Sequence, residues 1–458
     1  MEIRKAARAG AWVVGGLLAL AALLYAALLV INWKDEAPSA AAERMVALER
    51  GRPAVADEAN GFVHALGLAA PEDADPVAFG RERKRWLDTY VAPPGGYGST
   101  EFPTKDADYR ASRSLEVAAL AKACSEGVEC LNALNAKPGV LGQWLAGEQW
   151  LLDRYRTMIA LSDWRETTPR HISAPLPSYH HPIEMQKLHL LAVREHAIAG
   201  EAEVVRDLLE RDLVFWRQVL ASSDLLISKM IATAAVKRHF VLGNLALREL
   251  PADVAADAVP VSWLTPLTAN ERSMERALAG EWHFGAAAIS AALSQEGLGP
   301  KPTGIAWLGD RLGRPLLKPQ ATLNLSAERM ARLTEAARAP YPDLREAMSV
   351  AHAGVDREAS AFRFYNPAGS VLDSIAAGAD YSRYIARTSD IEGLRRAAVL
   401  TAELRAAGVS ASAADEAIKR AGLRDPYSDE PFSWNEAERA VVFEGAEPGD
   451  RGRHALLL

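Results

Sequence analysis

Apolar positions draw the first boundary in this chain. From Ala11 to Ile31, "AWVVGGLLALAALLYAALLVI", twenty-one positions pass without a charge. As a helix rising about 1.5 Å per residue they span about 31 Å, the thickness of a bilayer's hydrocarbon layer. Arg4, Lys5 and Arg8 precede the run with only Glu2 opposing them, and Lys34, Asp35 and Glu36 follow it. That asymmetry predicts a cytoplasmic N-terminus with the rest of the chain on the far side. Trp12, Tyr25 and Trp33 lie near the two ends, where amphipathic rings favour the headgroup region. A cleaved signal peptide is the rival reading. Its apolar part spans roughly 7–15 residues with a small-residue cleavage site close behind, whereas here the first Ala-rich stretch, "APSAAA" at Ala37–Ala42, lies several residues past the apolar end. An uncleaved anchor is the expectation.

Beyond the anchor the pattern divides the chain. Residues 32–111 read as a polar juxtamembrane connection with one short helix, then a loop-rich stretch around "APEDADP" and "VAPPGGYGSTEF". Residues 112–424 read as a helical body. Trp144, Leu145, Leu151, Leu152, Tyr155, Met158 and Ile159 recur at three- and four-residue steps, and 182–250 divides into three successive helices. Gly200 fits a helix stop, and Ser223 or Asp224 fits an N-cap. "TANE" at Thr268–Glu271 and "SDIE" at Ser389–Glu392 have the form of capping boxes, "NLSAERMARLTEAARA" reads as a capped helix, and Asn366-Pro367 opens another. No 34-residue self-similarity accompanies the stacked helical hairpins, so a repeat array is not predicted. Residues 425–458 read as a small β-hairpin around Asn435–Glu438 with a tail. The predicted class is mainly α: a transmembrane helix at 11–31 after a basic tail at 1–10, a helical-hairpin body, and a small C-terminal β-hairpin.

Composition narrows the function classes. A formal net charge of −7 gives no electrostatic footprint for nucleic acid, and the one basic run, "RERKR" at Arg81–Arg85, reads as a solvated helix face. The two cysteines, Cys124 and Cys130, bracket "SEGVE" between predicted helices, and an oxidising compartment would permit a bond closing that small loop. Two unpaired buried thiols are the alternative. Five intervening residues do not suit a zinc knuckle.

The densest chemistry is "SYHHPIEMQKLHLLAVREH", with His180, His181, His189 and His196. His189 and His196 share a helix face, but seven residues of helix separate them by about 10.5 Å, too far for one ion. His180 and Glu184 have i, i+4 spacing, yet Pro182 is expected in the first helical turn, displacing His181 from the helix and breaking that pair. His171, His239 and His283 join only if the fold recruits them. No HExxH, Gly-x-Ser-x-Gly or Gly-Lys occurs, and Ser228 and Lys229 project about 100° apart on a helix. The Trp144 and Trp150 rings read as core, not as a cofactor box. No metal, cofactor or catalytic residue is therefore assigned, and the expected partners are the membrane and other envelope proteins.

Four segments, "DADPVAFG", "SSDLLISKMIATAAVKRHF", "LLKPQATLNLSAERM" and "FRFYNPAGSVLDSIAAGADYSRYIARTSDIEGLRRAAVL", resemble parts of a set of single-pass bacterial membrane proteins without an assigned activity. The resemblance implies an inner-membrane setting and brings no site residues. "DPYSDEPFSWNEAERAVVF", Asp425–Phe443, is similar to the tails of some pseudopilin-like proteins, but the basic leader ending in Gly and the anchor-start glutamate of prepilins are missing. The sequence thus supports an interaction or scaffolding protein on a single membrane anchor, with a tethered hydrolase assembled only in the fold as the alternative.

Overall fold

The structure is a computed structural model and describes residues 2–91, 101–124, 127–167, 169, 174–293, 303–360, 363–377 and 380–458. Most of the Pro-Gly stretch after Val91, and His171, lie outside the described residues. Helix α1 (Glu2–Ile31) contains a segment, Gly10–Ile31, that is long and apolar enough to cross a membrane, and none of it is buried against the body.

Asn32 ends that helix and begins a firm junction. Its side chain donates to the Phe364 carbonyl (2.9 Å) and accepts from the Asn366 backbone N–H (2.6 Å). Helix α2 (Ala40–Arg50) follows, N-capped by Ser39. The stretch read as loop contains two more helices, α3 (Gly61–Gly67) and α4 (Pro76–Asp88), the latter capped by Asp75 with Pro76 in its first turn. Every residue of α3 is buried. The basic run on α4 is also not wholly solvated. Arg83 is buried, paired with Asp106 (2.7 Å) and stacked on Phe79 and Phe102.

The helices α5 (Leu115–Ala123), α6 (Gly127–Ala136), α7 (Val140–Gly147) and α8 (Gln149–Ile159) lead to the centre of the body. There α9 (His180–Ile198), α10 (Ala202–Ser222) and α11 (Leu226–Arg248) pack consecutively, with Gly200 at φ +77° making the turn that only glycine adopts freely. The short helices α12 (Ala252–Ala255), α13 (Val261–Leu264) and α14 (Ala269–Arg272) cross over them, and Thr268–Glu271 forms the expected reciprocal capping box. Then come α15 (Glu275–Leu293), α16 (Gly304–Gly313), α17 (Pro319–Ala337), α18 (Leu344–Ser360), α19 (Pro367–Ala377), α20 (Ser382–Ala406) and α21 (Ala411–Arg420).

Three local expectations fail for one reason: the partner that ends or begins a helix is remote in sequence. "SDIE" caps nothing. Ser389 and Glu392 lie inside the continuous α20, because the helix is packed on both sides of them. Helix α17 starts at Pro319, well before "NLSAERM", because Asp35 accepts from the Gln320 and Ala321 N–H groups (2.8 and 3.0 Å). Ser223 and Asp224 do not cap α11. The buried Glu166 carboxylate takes the Asp224 and Leu225 N–H groups and the Ser228 hydroxyl instead.

The C-terminal hairpin exists and gains a third strand. Strands β1 (Ser433–Asn435), β2 (Ala440–Glu444) and β3 (Arg453–Leu457) form an antiparallel sheet in that order, with Asn435 opposite Ala440 and Ala440 opposite Leu457. The sheet is seated on α20 through Phe443, whose ring presses on Gly393 so closely that a Cβ there would come within 2.1 Å of it. On the other side, Asn244 of α11 donates to the Leu457 carbonyl (3.0 Å). Two adjoining apolar clusters fill the body. The larger joins α5–α11, α20 and the sheet, and the smaller joins α2, α15, α17 and α18.

Cys124 and Cys130 are both fully buried and joined in a disulfide between α5 and α6. Closing so short a loop contributes about 2 kcal/mol in the chain-entropy treatment. Reduction is therefore expected to lower the urea midpoint modestly while leaving the far-ultraviolet helical signal intact. Loss of that signal on reduction would show that the bond, not helix packing, holds the body together.

Candidate functional site

The histidine-rich segment does not form one centre. His189 is buried, its Nε2 3.3 Å from the Leu208 carbonyl, and burial holds its pKa down at about 4. His196 is part-exposed and paired with Glu201 (2.6 Å). Helix α9 begins at His180, two residues before Pro182, so His181 is helical and buried, contrary to the expectation from Pro182. Its Nε2 lies 3.1 Å from Asp106. Asp106, His180 and His181 bring three ligand-type atoms within 4.8 Å of one another. Asp106 was not a candidate from spacing, since it comes from a loop 75 positions away.

The surroundings of this trio favour an ion-pair junction. Arg83 occupies one Asp106 oxygen, and burial followed by the adjacent His181 lowers the His180 pKa to about 4. The His181 Nδ1 is buried without a partner. Were Nε2 to ligate a metal, the ring proton would sit on Nδ1 with no acceptor, the reverse of the usual supporting arrangement.

The remaining sequence candidates also separate. Ser228 meets Glu166 and Tyr179, while Lys229 turns to the Leu220 and Glu271 carbonyls (2.6 and 2.7 Å). Trp144 stacks under Arg113 and Trp150 under Arg154, and His283 faces Met45 and Glu49. His239 belongs to a sealed polar network. The Trp263 indole donates to its Nε2 (2.7 Å), and because an indole N–H only donates, the imidazole proton must be on Nδ1, directed at Asp212 (2.7 Å). Tyr155 (2.5 Å) and Gln186 (3.1 Å) also donate to Asp212. Burial raises the Asp212 pKa, but the hydrogen bonds it accepts from His239 and Tyr155 oppose this and the net shift is downward. With Asp212 and His239 wholly inaccessible, the network is structural.

A cleft open to a ligand lies elsewhere. A cleft of about 280 Å³ separates Met230, Thr233, Ala234 and Lys237 on α11 from Arg387, Asp390, Ile391 and Leu394 on α20. Each set follows helical i, i+3, i+4, i+7 spacing, so each helix lines the cleft with one stripe of its surface. The segment after β2 closes the cleft with Glu447, Arg451 and His454. Arg387 pairs with Glu447 (2.6 Å). Burial raises the Asp390 pKa, and its oxygens accept from Tyr427 (2.7 Å), Ala446 N (2.6 Å) and Glu447 N (3.1 Å). No serine or cysteine lines this cleft, and the Thr233 hydroxyl is already committed to the Lys229 carbonyl (2.9 Å). No family model, curated protein or solved structure matches this chain.

Proposed function

We propose that the protein is a single-pass component of a bacterial inner membrane whose body lies in the periplasm, seated against the bilayer, and serves as an interaction platform for other envelope proteins. The observation that carries the seat is a hydrogen bond. Tyr25, six positions before the end of the apolar segment, donates to the Leu312 carbonyl at the end of α16 (3.0 Å). Six helical residues correspond to about 9 Å, so with α1 in a bilayer the end of α16 is drawn just inside the apolar–headgroup boundary, the depth of an interfacial helix. Helix α16 is suited to that level. Ile305, Trp307, Leu308 and Leu312 are all exposed on it, and Val371, Leu372 and Ile375 are exposed on α19. An exposed apolar patch of this kind beside a membrane span matches an interfacial helix. The basic flank before α1 and the disulfide support the periplasmic side.

Thiol labelling of the full chain in spheroplasts tests both parts. Ile305 and Leu115 are equally exposed on the protein, at 90% and 88%. A Leu115→Cys variant should react with a membrane-impermeant maleimide, and an Ile305→Cys variant should react at least about tenfold more slowly because lipid covers it. Equal rates at the two positions would remove the seat. Protection of both until the membrane is permeabilised would place the body in the cytoplasm.

A further inference from the structure

We propose that the cleft between α11 and α20 is a binding site for a small monocarboxylate with an apolar body, the carboxylate facing Lys237, Arg451 and the His454 ring and the apolar part lying along Met230, Ala234, Ile391 and Leu394. The site goes beyond the membrane seat and does not depend on which side of the membrane the body occupies.

His454 is the residue that points to a ligand. It is only 6% exposed, yet neither Nδ1 nor Nε2 has a hydrogen-bond partner. Buried polar groups are almost always satisfied, and one that is not calls for an occupant. The ring is held in place by stacking on Phe443 (centroids 5.7 Å apart). Burial, reinforced by the Lys237 charge, holds its pKa at about 3, so at neutral pH it is uncharged and offers one N–H donor and one acceptor.

Charge then selects the ligand. Arg387 and Arg451 line the cleft with Asp390 and Glu447. Both carboxylates are already engaged, Glu447 by Arg387 and Asp390 by Tyr427 and two backbone N–H groups. An incoming cation would find no uncommitted acceptor of matching charge among these groups. Arg387 is taken by Glu447, so the exposed Arg451 guanidinium and the His454 N–H remain as donors, a pair that suits a carboxylate. The four apolar side chains on the facing helix stripes line the rest, and the volume of about 280 Å³ suits a ligand of roughly ten non-hydrogen atoms.

Equilibrium dialysis of the purified full chain against radiolabelled hexanoate, with hexanamide as the neutral partner of the same shape and empty micelles as background, tests the site. Hexanoate should bind at one equivalent and hexanamide at least about tenfold more weakly, the loss of a charge-assisted hydrogen bond. Arg451 is exposed, so Arg451→Gln leaves the fold undisturbed and should weaken hexanoate at least about fivefold. His454→Leu should do the same while retaining the thermal midpoint. Hexanoate that fails to bind, hexanamide that binds as well, or affinity unchanged in both variants would each overturn the assignment and leave the cleft as a water-filled space.

Discussion

Replacing Asp212 by alanine is expected to destabilise the protein by about 3–5 kcal/mol, among the largest single-site effects available in it. The carboxylate is the common acceptor for Tyr155, Gln186 and His239, and all of these groups are buried. Its removal strands three donors at once. Nor can the donors turn to other partners. The Tyr155 oxygen already accepts from the Trp216 indole (2.8 Å), and His239 cannot shift its proton to Nε2 without setting two N–H groups against each other at Trp263. Each stranded donor carries the desolvation cost of an unmade bond. Asparagine should recover little, because its amide places a donor where one of the three needs an acceptor. Urea unfolding of the alanine variant with a loss below about 1 kcal/mol would show that the interior reorganises around the gap.

Stability should also pass through a trough near pH 7, set by two buried groups of opposite sign. Burial raises the Glu166 pKa to about 7 despite the Ser228 hydroxyl and two backbone N–H groups that favour its ionised form. Its folded pKa exceeds its unfolded one, so its contribution is fully present below about pH 4.5 and is lost as pH rises towards 7. Lys229 behaves oppositely. Burial lowers its pKa to about 7, with the Glu271 charge only partly offsetting this. Its folded pKa lies below its unfolded one, so stability is gained as pH rises from about 7 towards 10.5. Each limb amounts to roughly 3–5 kcal/mol by linkage. Groups with depressed pKa values, such as Glu184 and Glu275, superimpose an acid loss. The informative quantities are therefore the differences between wild type and variant: Glu166→Gln should flatten the acid limb and Lys229→Met the alkaline one. Difference curves without slope in these windows would mean that water reaches both groups.

The helical class, the apolar segment at the N-terminus and the C-terminal strands were legible because each is written in a local period. Leu151, Leu152 and Met158 needed no knowledge of their partners to be placed inside. What stayed hidden was relational. Asp212, Tyr155, Gln186, His239 and Trp263 come from five separate stretches, and nothing in the spacing of any one announces the others. Strand β3 was missed because "RHALLL" is too short to carry a period, and its burial comes from Asn244 and Arg405 holding the Leu457 carbonyl. The cleft was missed for a related reason. Its two stripes, on α11 and α20, look like ordinary packing faces until the fold brings Glu447, Arg451 and His454 beside them. Arg83 escaped because a basic run on a helix is a sign of solvent unless a remote loop supplies Asp106 and Thr104. The same logic governs where a soluble fragment could start. A cut near Asp57 would discard α2, whose Ala42 and Met45 are buried in the smaller apolar cluster.

The junction at Asn32 has a mechanical consequence. Membrane anchors commonly end in slack chain, so the span can tilt or rotate while the attached domain stays at rest. Here Asn32 is clamped to Phe364 and Asn366, Tyr365 holds the Lys34 carbonyl, and Asp35 is bonded to the first turn of α17. There is no hinge between span and body. With α1 in a bilayer, a thinner or thicker membrane that changes the tilt of the span turns the whole body with it, as a mast turns with its keel.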